Sequence, residues 1–434
     1  MVSDADQTKI KEPCLSEKDE EQDDQSVIVR PDDDSIPDGG LVAWLQVLGS
    51  FMIFFNTWGV VNSFGVYQTY YENNILQSEG ASRISWIGSI QGFLLMSSGT
   101  FAGPLFDLGY YRYLLLIGLI LSVLGIMMTS IASKYWEIML AQAVCLGLGG
   151  GCLFLPGVAI PSTYFAKKRS LALGISTSGS SFGAVVYSIV FHRLVDRIGF
   201  GNTTRVIGYI MLGTTLISVA VMRTRVTPTV KRSLFAANAL KEPPFLFFSL
   251  ALFVGFLTLY VPFYYISSYG ITKIGMSSQL GFYLVPILNA GSVFGRLAPN
   301  YFADKIGPLN ILIPFTSFCM ILAFAWMGIF NTPGIIVFAV LYGMTSGTYV
   351  SLPAPTVTSL TQDLHHVGSR LGTCFLFGAI GILIGNPIAG ALVNLEEKSF
   401  WKAQVFCGIG VFTAVVCLVL TRLTKTGWVL VVKA

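Results

Sequence analysis

Charged residues are scarce in this sequence of 434 residues: Asp, Glu, Lys and Arg together make up 12% of it, whereas 53% is hydrophobic. The three histidines, His192, His365 and His366, lack the spacing of a metal site. The sequence also lacks the glycine-rich loop that binds the phosphates of ATP. These absences argue against an enzyme and an ATP-driven pump, and we expect no metal or other cofactor.

Long apolar segments are the main feature that remains, and they raise the mean hydropathy to +0.67. Crossing a bilayer as a helix takes about 20 apolar residues, because backbone polar groups must pair internally where water is absent. We therefore predict an all-α membrane protein. The twelve predicted transmembrane helices cover residues 41–63, 84–104, 112–132, 136–159, 170–191, 206–222, 245–268, 279–300, 309–329, 334–355, 370–393 and 402–421.

The two ends of the chain are polar. Residues 1–38 contain 13 of the 23 acidic residues and no cleavable signal peptide, so we predict a disordered acidic tail. With twelve helices, 18 of the 27 Lys and Arg residues fall on the side of the termini, 8 fall on the other side, and Arg296 falls within the membrane. Cytoplasmic loops carry the excess of positive charge. This bias predicts that residues 1–38 and 423–434 are both cytoplasmic, and it explains the basic residues without a nucleic-acid partner.

A central polar stretch divides the apolar segments into two sets of six. Residues 223–244 form this stretch, and we predict a cytoplasmic interdomain loop there. The N-terminal half then covers residues 39–222, and the C-terminal half covers residues 245–422.

The two halves also share sequence features. An offset of about 198 residues aligns Gly174 with Gly372 and Gly183 with Gly381. Parallel repeats of this kind are typical of secondary transporters, in which the substrate site lies near the membrane midplane between the halves.

Two motifs at matched positions, "GPLFDLGYYR" at 103–112 and "NYFADKIGP" at 300–308, resemble the loop signature of the major facilitator superfamily. Leu108 stands where that signature has arginine. An acid that faces the positive N-terminus of a neighbouring helix makes a latch that can open and close. The resemblance therefore implies the fold of that superfamily and four gating residues: Asp107, Arg112, Asp304 and Lys305.

Two further motifs resemble the monocarboxylate transporter family in its fungal-type form. The stretch "PDGGLVAWLQVLGSF" at 37–51 matches the opening of its first helix, with Leu41 in place of the tryptophan of animal members. The stretch "YFAKKRSLALGISTSG" at 164–179 matches its signature before helix 5. The resemblance covers about residues 37–422 and implies a secondary carrier.

Arg296 lies inside the eighth predicted helix. In the monocarboxylate transporter family an arginine of helix 8 binds the substrate carboxylate, with an aspartate one turn earlier and a lysine in helix 1. Here these two positions are Ser292 and Asn62. Arg296 therefore either contacts the substrate, or it reaches the cytoplasmic interface or braces the Asp304 latch. The two missing charges favour a ligand that is larger or less acidic than lactate.

Other polar and aromatic side chains also fall inside the predicted helices. Each amide has an alternative role as an interhelical hydrogen bond of about 0.6 kcal/mol, and some aromatic residues fit an interfacial belt equally well. The candidate substrate-binding residues are Arg296, Asn62, Asn56, Gln142, Asn289, Trp58 and Tyr264.

We interpret the protein as a monomeric secondary transporter of a small organic molecule in the plasma membrane. Export of a fungal secondary metabolite competes with proton-coupled import of a carboxylate or vitamin, and a nutrient sensor on the same fold is a third hypothesis. Because none of the ten acidic residues beyond the tail falls in the middle of a predicted helix, proton coupling stays open.

Asn202 begins the sequon "NTT" in the predicted extracellular loop between helices 5 and 6. We expect at least partial N-glycosylation there. Treatment with a deglycosidase should increase gel mobility, and Asn202→Gln should abolish this shift. A wild-type mobility that the enzyme leaves unchanged would contradict the prediction.

Overall fold

The computed structural model describes residues 38–225, 236–361, 367–395 and 397–427. These ranges are almost entirely helical, and their only β-type pairing is an isolated bridge between Asn394 and Ser399. The predicted disorder of residues 1–37 lies outside the described residues, as does the tail from residue 428 onward.

Twelve membrane helices, which we number α1 to α12, make up most of the described chain. The first six are α1 Leu41–Ile75, α2 Ala81–Asp107, α3 Tyr111–Thr129, α4 Tyr135–Ser162, α5 169–198 and α6 200–221. The last six are α7 Pro243–Ile274, α8 Ser278–Ile306, α9 Pro308–Gly328, α10 Thr332–Leu360, α11 Val367–Leu392 and α12 Trp401–Thr426.

The helix count confirms the predicted twelve. Ten continuous helices are long and apolar enough to cross a membrane, and one of them, Arg169–Val221, has 53 residues. A straight helix of that length would measure about 80 Å, far more than the roughly 30 Å of a hydrocarbon core. Gly199 breaks it with φ 78° and ψ 166°, which only glycine adopts readily, and so creates α5 and α6. The less apolar Ala81–Asp107 is the twelfth helix.

The predicted boundaries of α1 and α7 are wrong at their C-terminal ends. The sequence predicts that α1 ends at residue 63 and α7 at 268, whereas both helices continue and end in π-helical turns at Tyr71–Ile75 and Gly270–Ile274. Hydropathy detects only the part of a helix that crosses the hydrocarbon core. The additional turns contain polar residues, and they are stabilised by packing of α1 against α7.

Three helices are interrupted between their ends. The α-helical pattern of α1 stops at Thr57, that of α7 at Leu259–Tyr260 and that of α10 at Leu352. Pro262 and Pro353 follow the last two interruptions, and proline lacks the N–H group that a continuous helix needs. Backbone hydrogen bonds still join Thr57 to Ile53 at 2.9 Å and Leu352 to Thr348 at 3.2 Å, so the chain stays continuous through these interruptions.

Glycine allows two pairs of helices to approach closely. A Cβ atom at Gly183 on α5 would lie 2.2 Å from the Phe55 carbonyl oxygen on α1, and one at Gly381 on α11 would lie 2.3 Å from the Phe253 carbonyl oxygen on α7. Side chains larger than hydrogen cannot fit at these distances. The α1–α5 and α7–α11 pairs therefore use the same packing in the two halves, as the alignment of Gly183 with Gly381 predicts.

The two halves meet along three helix pairs: α2 with α11, α5 with α8, and α1 with α7. We call one end of the bundle the Lys167 end. It contains residues 108–110, 163–168 and 307. The opposite end, which we call the Glu72 end, contains residues 71–80, 130–134 and 270–277. The interdomain boundary at 223–244 stays a prediction, because residues 226–235 lie outside the described chain.

The α8–α10 contact generates a stability prediction. A Cβ atom at Gly295 would lie 1.8 Å from the Met344 carbonyl oxygen, whereas one at Gly213 on α6 would meet nothing within 4 Å. Overpacking costs about 1–3 kcal/mol, so Gly295→Ala should lower the unfolding temperature. Gly213→Ala should leave it unchanged or raise it slightly. Thermal unfolding of the detergent-purified variants measures both effects, and equal temperatures would contradict the close approach.

Candidate functional site

A small cavity lies between the two halves, and its walls are mainly aromatic. The N-terminal half contributes Phe54, Trp58 and Phe154, and the C-terminal half contributes Phe256 and Phe375. Its volume is about 30 Å³, which suffices for about two water molecules. Pockets for organic ligands usually measure about 300–1,000 Å³. The cavity is therefore too small for an organic ligand of that size.

Ring contacts close the cavity across the interface between the halves. Trp58 on α1 stacks on Tyr260 on α7, with ring centroids 6.2 Å apart and planes 20° from parallel. Phe154 on α4 meets Phe375 on α11 edge to face at 5.7 Å. Separation of the halves would break both contacts and expose the ring faces to the enlarged cavity. The structure thus places Trp58, a predicted substrate contact, in the cavity wall.

Arg296 is fully buried next to this cavity and connects α8 to α5. Its Nε donates to the Ser292 hydroxyl at 3.2 Å, and its Nη1 donates to the Thr177 carbonyl oxygen at 3.1 Å. Thr177 itself lines the cavity. Within the described part of the chain, no carboxylate lies within 4 Å of the guanidinium. Because a charge in the membrane interior needs polar partners or a wet cavity, Arg296 is suited to exchange the Thr177 carbonyl for an anionic group.

Asp304 forms the contact expected of a latch. Its two carboxylate oxygens accept the backbone N–H groups of Ser170 and Leu171, each at 3.1 Å, in the first turn of α5. These N–H groups have no partner within the helix and carry its positive partial charge. The carboxylate of the C-terminal half therefore binds the N-terminus of α5 at the Lys167 end.

Two other predicted gating residues contact a tyrosine of their own helix. The Arg112 Nε donates to the Tyr111 hydroxyl, and the Lys305 Nζ donates to the Tyr301 hydroxyl, one turn away. The side chain of Asp107 lies outside the described part of the structure. Of the three gating candidates with described side chains, Asp304 is the one with a hydrogen bond to the opposite half.

Asn62 and Asn289 meet at the interface between the halves. Asn289 on α8 donates to the Asn62 backbone oxygen on α1 at 3.4 Å. Both side-chain polar atoms of Asn62 and the Asn289 amide oxygen are buried without a hydrogen-bond partner among the described residues. Buried polar atoms normally have partners, so these two amides can supply hydrogen bonds to a ligand. Tyr264 on α7 packs its ring against Phe64 on α1, with centroids 5.1 Å apart, and its hydroxyl faces Ser89 and Asn386.

The amides of Asn56 and Gln142 occupy different positions, within the N-terminal half. Asn56 donates to the hydroxyls of Thr214 and Thr215 at 2.8 and 3.0 Å. The Gln142 amide oxygen accepts the Tyr71 hydroxyl at 2.7 Å. Like Asn62, Asn289 and Tyr264, neither residue lines the cavity. The amides of Asn56 and Gln142 form the interhelical hydrogen bonds that were the alternative to ligand binding.

Two residues near the interface were not predicted from the sequence. Thr177 contributes only its backbone carbonyl, which no residue pattern distinguishes. Glu72 follows the predicted end of α1, but the observed helix brings it against α7. Its spacing of four residues from Gln68 was a detectable signal, since this spacing places two side chains on one helix face.

Asn202 lies at the start of α6, at the Glu72 end. Its side chain is exposed, donates to the Ile198 carbonyl oxygen at 3.0 Å and accepts from Arg205 at 3.1 Å. Thr204, the third sequon residue, is fully buried. Modification at Asn202 therefore requires that the glycan be attached before α6 packs, and it stays a prediction.

Comparison with known proteins identifies relatives along most of the chain. Residues 41–372 match the family described as Major Facilitator Superfamily. The MFS-type transporter dbaD of Emericella nidulans is 43% identical over 381 residues, which cover 88% of this chain and 85% of that protein. The aspyridones efflux protein apdF of the same organism is 37% identical and covers 87% and 77%. The MFS transporter asaE of Aspergillus flavus is 35% identical and covers 92% and 91%.

A solved structure shares the fold. The crystal structure of the nucleoside transporter NupG matches with a TM-score of 0.65 over 89% of this chain and 100% of that chain, at 12% sequence identity. Such a low identity supports the fold and not the substrate. Together with the family match and the fungal relatives, the fold shows that this chain belongs to the major facilitator superfamily and is a membrane transporter of the type found in fungi.

Proposed function

We propose that the protein exports a small organic secondary metabolite by alternating access, as a carrier related to the monocarboxylate transporters. The observation that carries this proposal is the aromatic cavity between the halves. Its volume of about 30 Å³ is too small for an organic ligand, so a carrier with this site needs a second, more open state. The name of the efflux relative supports the direction of transport. The motifs at residues 37–51 and 164–179 support the monocarboxylate-type lineage.

The Lys167 end is the side that opens to the cytoplasm in this proposal. Opening separates α5 from α8, so Asp304 loses the N–H groups of Ser170 and Leu171, and Arg296 loses the Thr177 carbonyl. Water can replace these partners at the wet surface of an open cavity. The basic residues at 167–169 support the cytoplasmic orientation, and the plasma membrane is the proposed location.

The substrate binds among residues of both halves. Trp58 offers a ring face, Asn62, Asn289 and Tyr264 offer hydrogen-bonding groups, and Arg296 offers a cation. Because each half contributes part of the site, relative movement of the halves changes access without dismantling either set of contacts. Asn56 and Gln142 stabilise the N-terminal half in this scheme.

Deletion of the gene in its native host tests the direction of transport. The exported compound should accumulate in the cells and decrease in the medium, and re-expression of the wild-type chain should reverse both changes. Uptake of an external carboxylate that disappears on deletion, with an unchanged secretion profile, would instead support the importer hypothesis.

Arg296 generates the sharpest mutational prediction for the site. A hydrogen bond to a charged group contributes about 1.5–3 kcal/mol, so Arg296→Gln should weaken binding of the exported compound roughly 10- to 100-fold. Arg296→Lys should also weaken binding, because it keeps the charge but loses the planar fork of donors. Equilibrium binding to the purified protein is the measurement, since a transport rate alone cannot separate binding from gating.

Asp304→Asn is the matched control for Arg296. It removes a charge from the same helix at the Lys167 end, but the side chain contacts α5 and not the cavity wall. We expect altered export with nearly unchanged binding affinity. If Arg296→Gln also binds the compound with unchanged affinity, Arg296 is a brace for the latch and does not contact the substrate.

A further inference from the structure

The Glu72 end is closed by direct contact between α1 and α7. A Cβ atom at Gly65 on α1 would lie 2.2 Å from the Phe263 carbonyl oxygen on α7, so the two backbones touch there. One helical turn further on, the hydroxyls of Thr69 and Ser268 are 3.4 Å apart. These contacts join the N-terminal half to the C-terminal half on the far side of the cavity from Asp304.

The carboxylate of Glu72 takes part in this closure. One of its oxygens accepts the Ser268 hydroxyl on α7 at 3.2 Å, and the other accepts the Gln68 amide on its own helix at 2.6 Å. Gln68 also donates to the Ala81 carbonyl oxygen at the start of α2 at 3.1 Å. Glu72 thus connects three helices through partners that carry no charge.

The charged and titratable groups of the surrounding elements have other contacts. Arg83 on α2 forms a salt bridge with Glu79 at 2.7 Å, and its side chain is 61% exposed. Lys273 is exposed in the last turn of α7. On α5, His192 stacks on Phe282 at 5.1 Å, and the exposed Asp196 faces Tyr70.

Tyr265 is the titratable group of α7 that faces Glu72. Its hydroxyl donates to the Asn386 carbonyl oxygen on α11 at 3.2 Å. None of these groups forms a salt bridge with Glu72 among the described residues. Closure of this end therefore surrounds the carboxylate with neutral partners.

We infer that Glu72 is a proton-binding site whose protonation closes this end of the transporter. Glu72 is half-buried in the closed end, so an ionised carboxylate there would lose part of its water without gaining a cation, which costs free energy. The neutral carboxylic acid avoids this cost: its carbonyl oxygen can still accept from Gln68, and its O–H group can donate to the Ser268 hydroxyl. Opening returns Glu72 to water, where it releases the proton as H⁺. Closure therefore takes up one proton and opening releases it.

The inference rests on the proposed alternating access, because it requires the Glu72 end to open. It adds that a proton binds at the Glu72 end and that Glu72 is the residue that binds it. One linked proton changes the ratio of closed to open molecules by at most about tenfold per pH unit. Closed molecules should predominate at low pH and decrease as the pH rises.

The experiment measures opening of this end directly. Spin labels on Asn74→Cys and Lys273→Cys, two exposed positions on the terminal turns of α1 and α7, report the distance between these helices by double electron–electron resonance. The full chain is placed in lipid nanodiscs, with its native cysteines replaced and its export activity verified. Distance distributions are recorded in steps from about pH 4.5 to about pH 8.5, a range that brackets an ordinary carboxyl group.

The pH dependence of the spin-label distance is compared in three proteins. The chain with Glu72 intact should shift from a short to a longer distance as the pH rises. Glu72→Gln, which imitates the neutral acid, should keep the short distance throughout. Glu79→Gln removes the nearby exposed acid of the Arg83 salt bridge, and it should behave like the chain with Glu72 intact. A pH-dependent shift that persists in Glu72→Gln would overturn the inference.

A second variant guards against misfolding of Glu72→Gln. Ser268→Ala removes the hydroxyl that contacts both Glu72 and Thr69, so it should reduce the closed fraction at each pH while the dependence on pH persists. An unchanged closed fraction would contradict the proposed role of these contacts. If Ser268→Ala shifts the distance but pH does not, only the role of Glu72 fails. A single short distance under every condition would also contradict alternating access.

Discussion

Close approach of α5 to α8 is the contact on which the Lys167 end depends, and glycine makes it possible. A Cβ atom at Gly174 would lie 2.6 Å from the Arg296 carbonyl oxygen. Without this approach, the Thr177 carbonyl could not reach the Arg296 guanidinium, nor could the first turn of α5 reach Asp304. One packing contact between the halves thus positions both the buried cation and the latch.

The α1–α7 contact plays the corresponding part at the Glu72 end. Gly65 brings these helices together, and the polar side chains of Thr69, Glu72 and Ser268 then meet around the contact. The two closures lie on opposite sides of the aromatic cavity. Because interfaces of packed helices adopt discrete arrangements, tilting one half against the other can release one closure while it keeps the second.

Much of this architecture was predictable from the sequence. Hydropathy predicts all twelve helices, since the requirement for internal backbone hydrogen bonds leaves few alternatives in a bilayer. The resemblance to the superfamily signature singles out Asp304, and its carboxylate lies at a helix N-terminus. The same signature could not predict that Lys305 would bind Tyr301 of its own helix, because this choice depends on local rotamers.

The remaining features depend on distances between helices, which periodicity does not reveal. Hydropathy predicts that α1 ends at residue 63, which would place Glu72 in a loop. The observed helix continues to Ile75, and the sequence therefore does not reveal the contact of Glu72 with Ser268. Asn56 and Gln142 were equally plausible as ligand contacts or as interhelical hydrogen bonds, and only their partners distinguish the two roles. Thr177 acts through its backbone, so its side chain carried no signal.

Alternating access requires that the two ends of the transporter open one at a time. Distances between spin labels at Lys168 and Lys305, and in a second sample at Asn74 and Lys273, measure this in variants that disturb one end each. Gly65→Trp forces α1 and α7 apart with a bulky side chain, and it should lengthen only the Asn74–Lys273 distance. Asp304→Asn should lengthen only the Lys168–Lys305 distance. If either variant lengthens both distances together, the halves do not alternate as described.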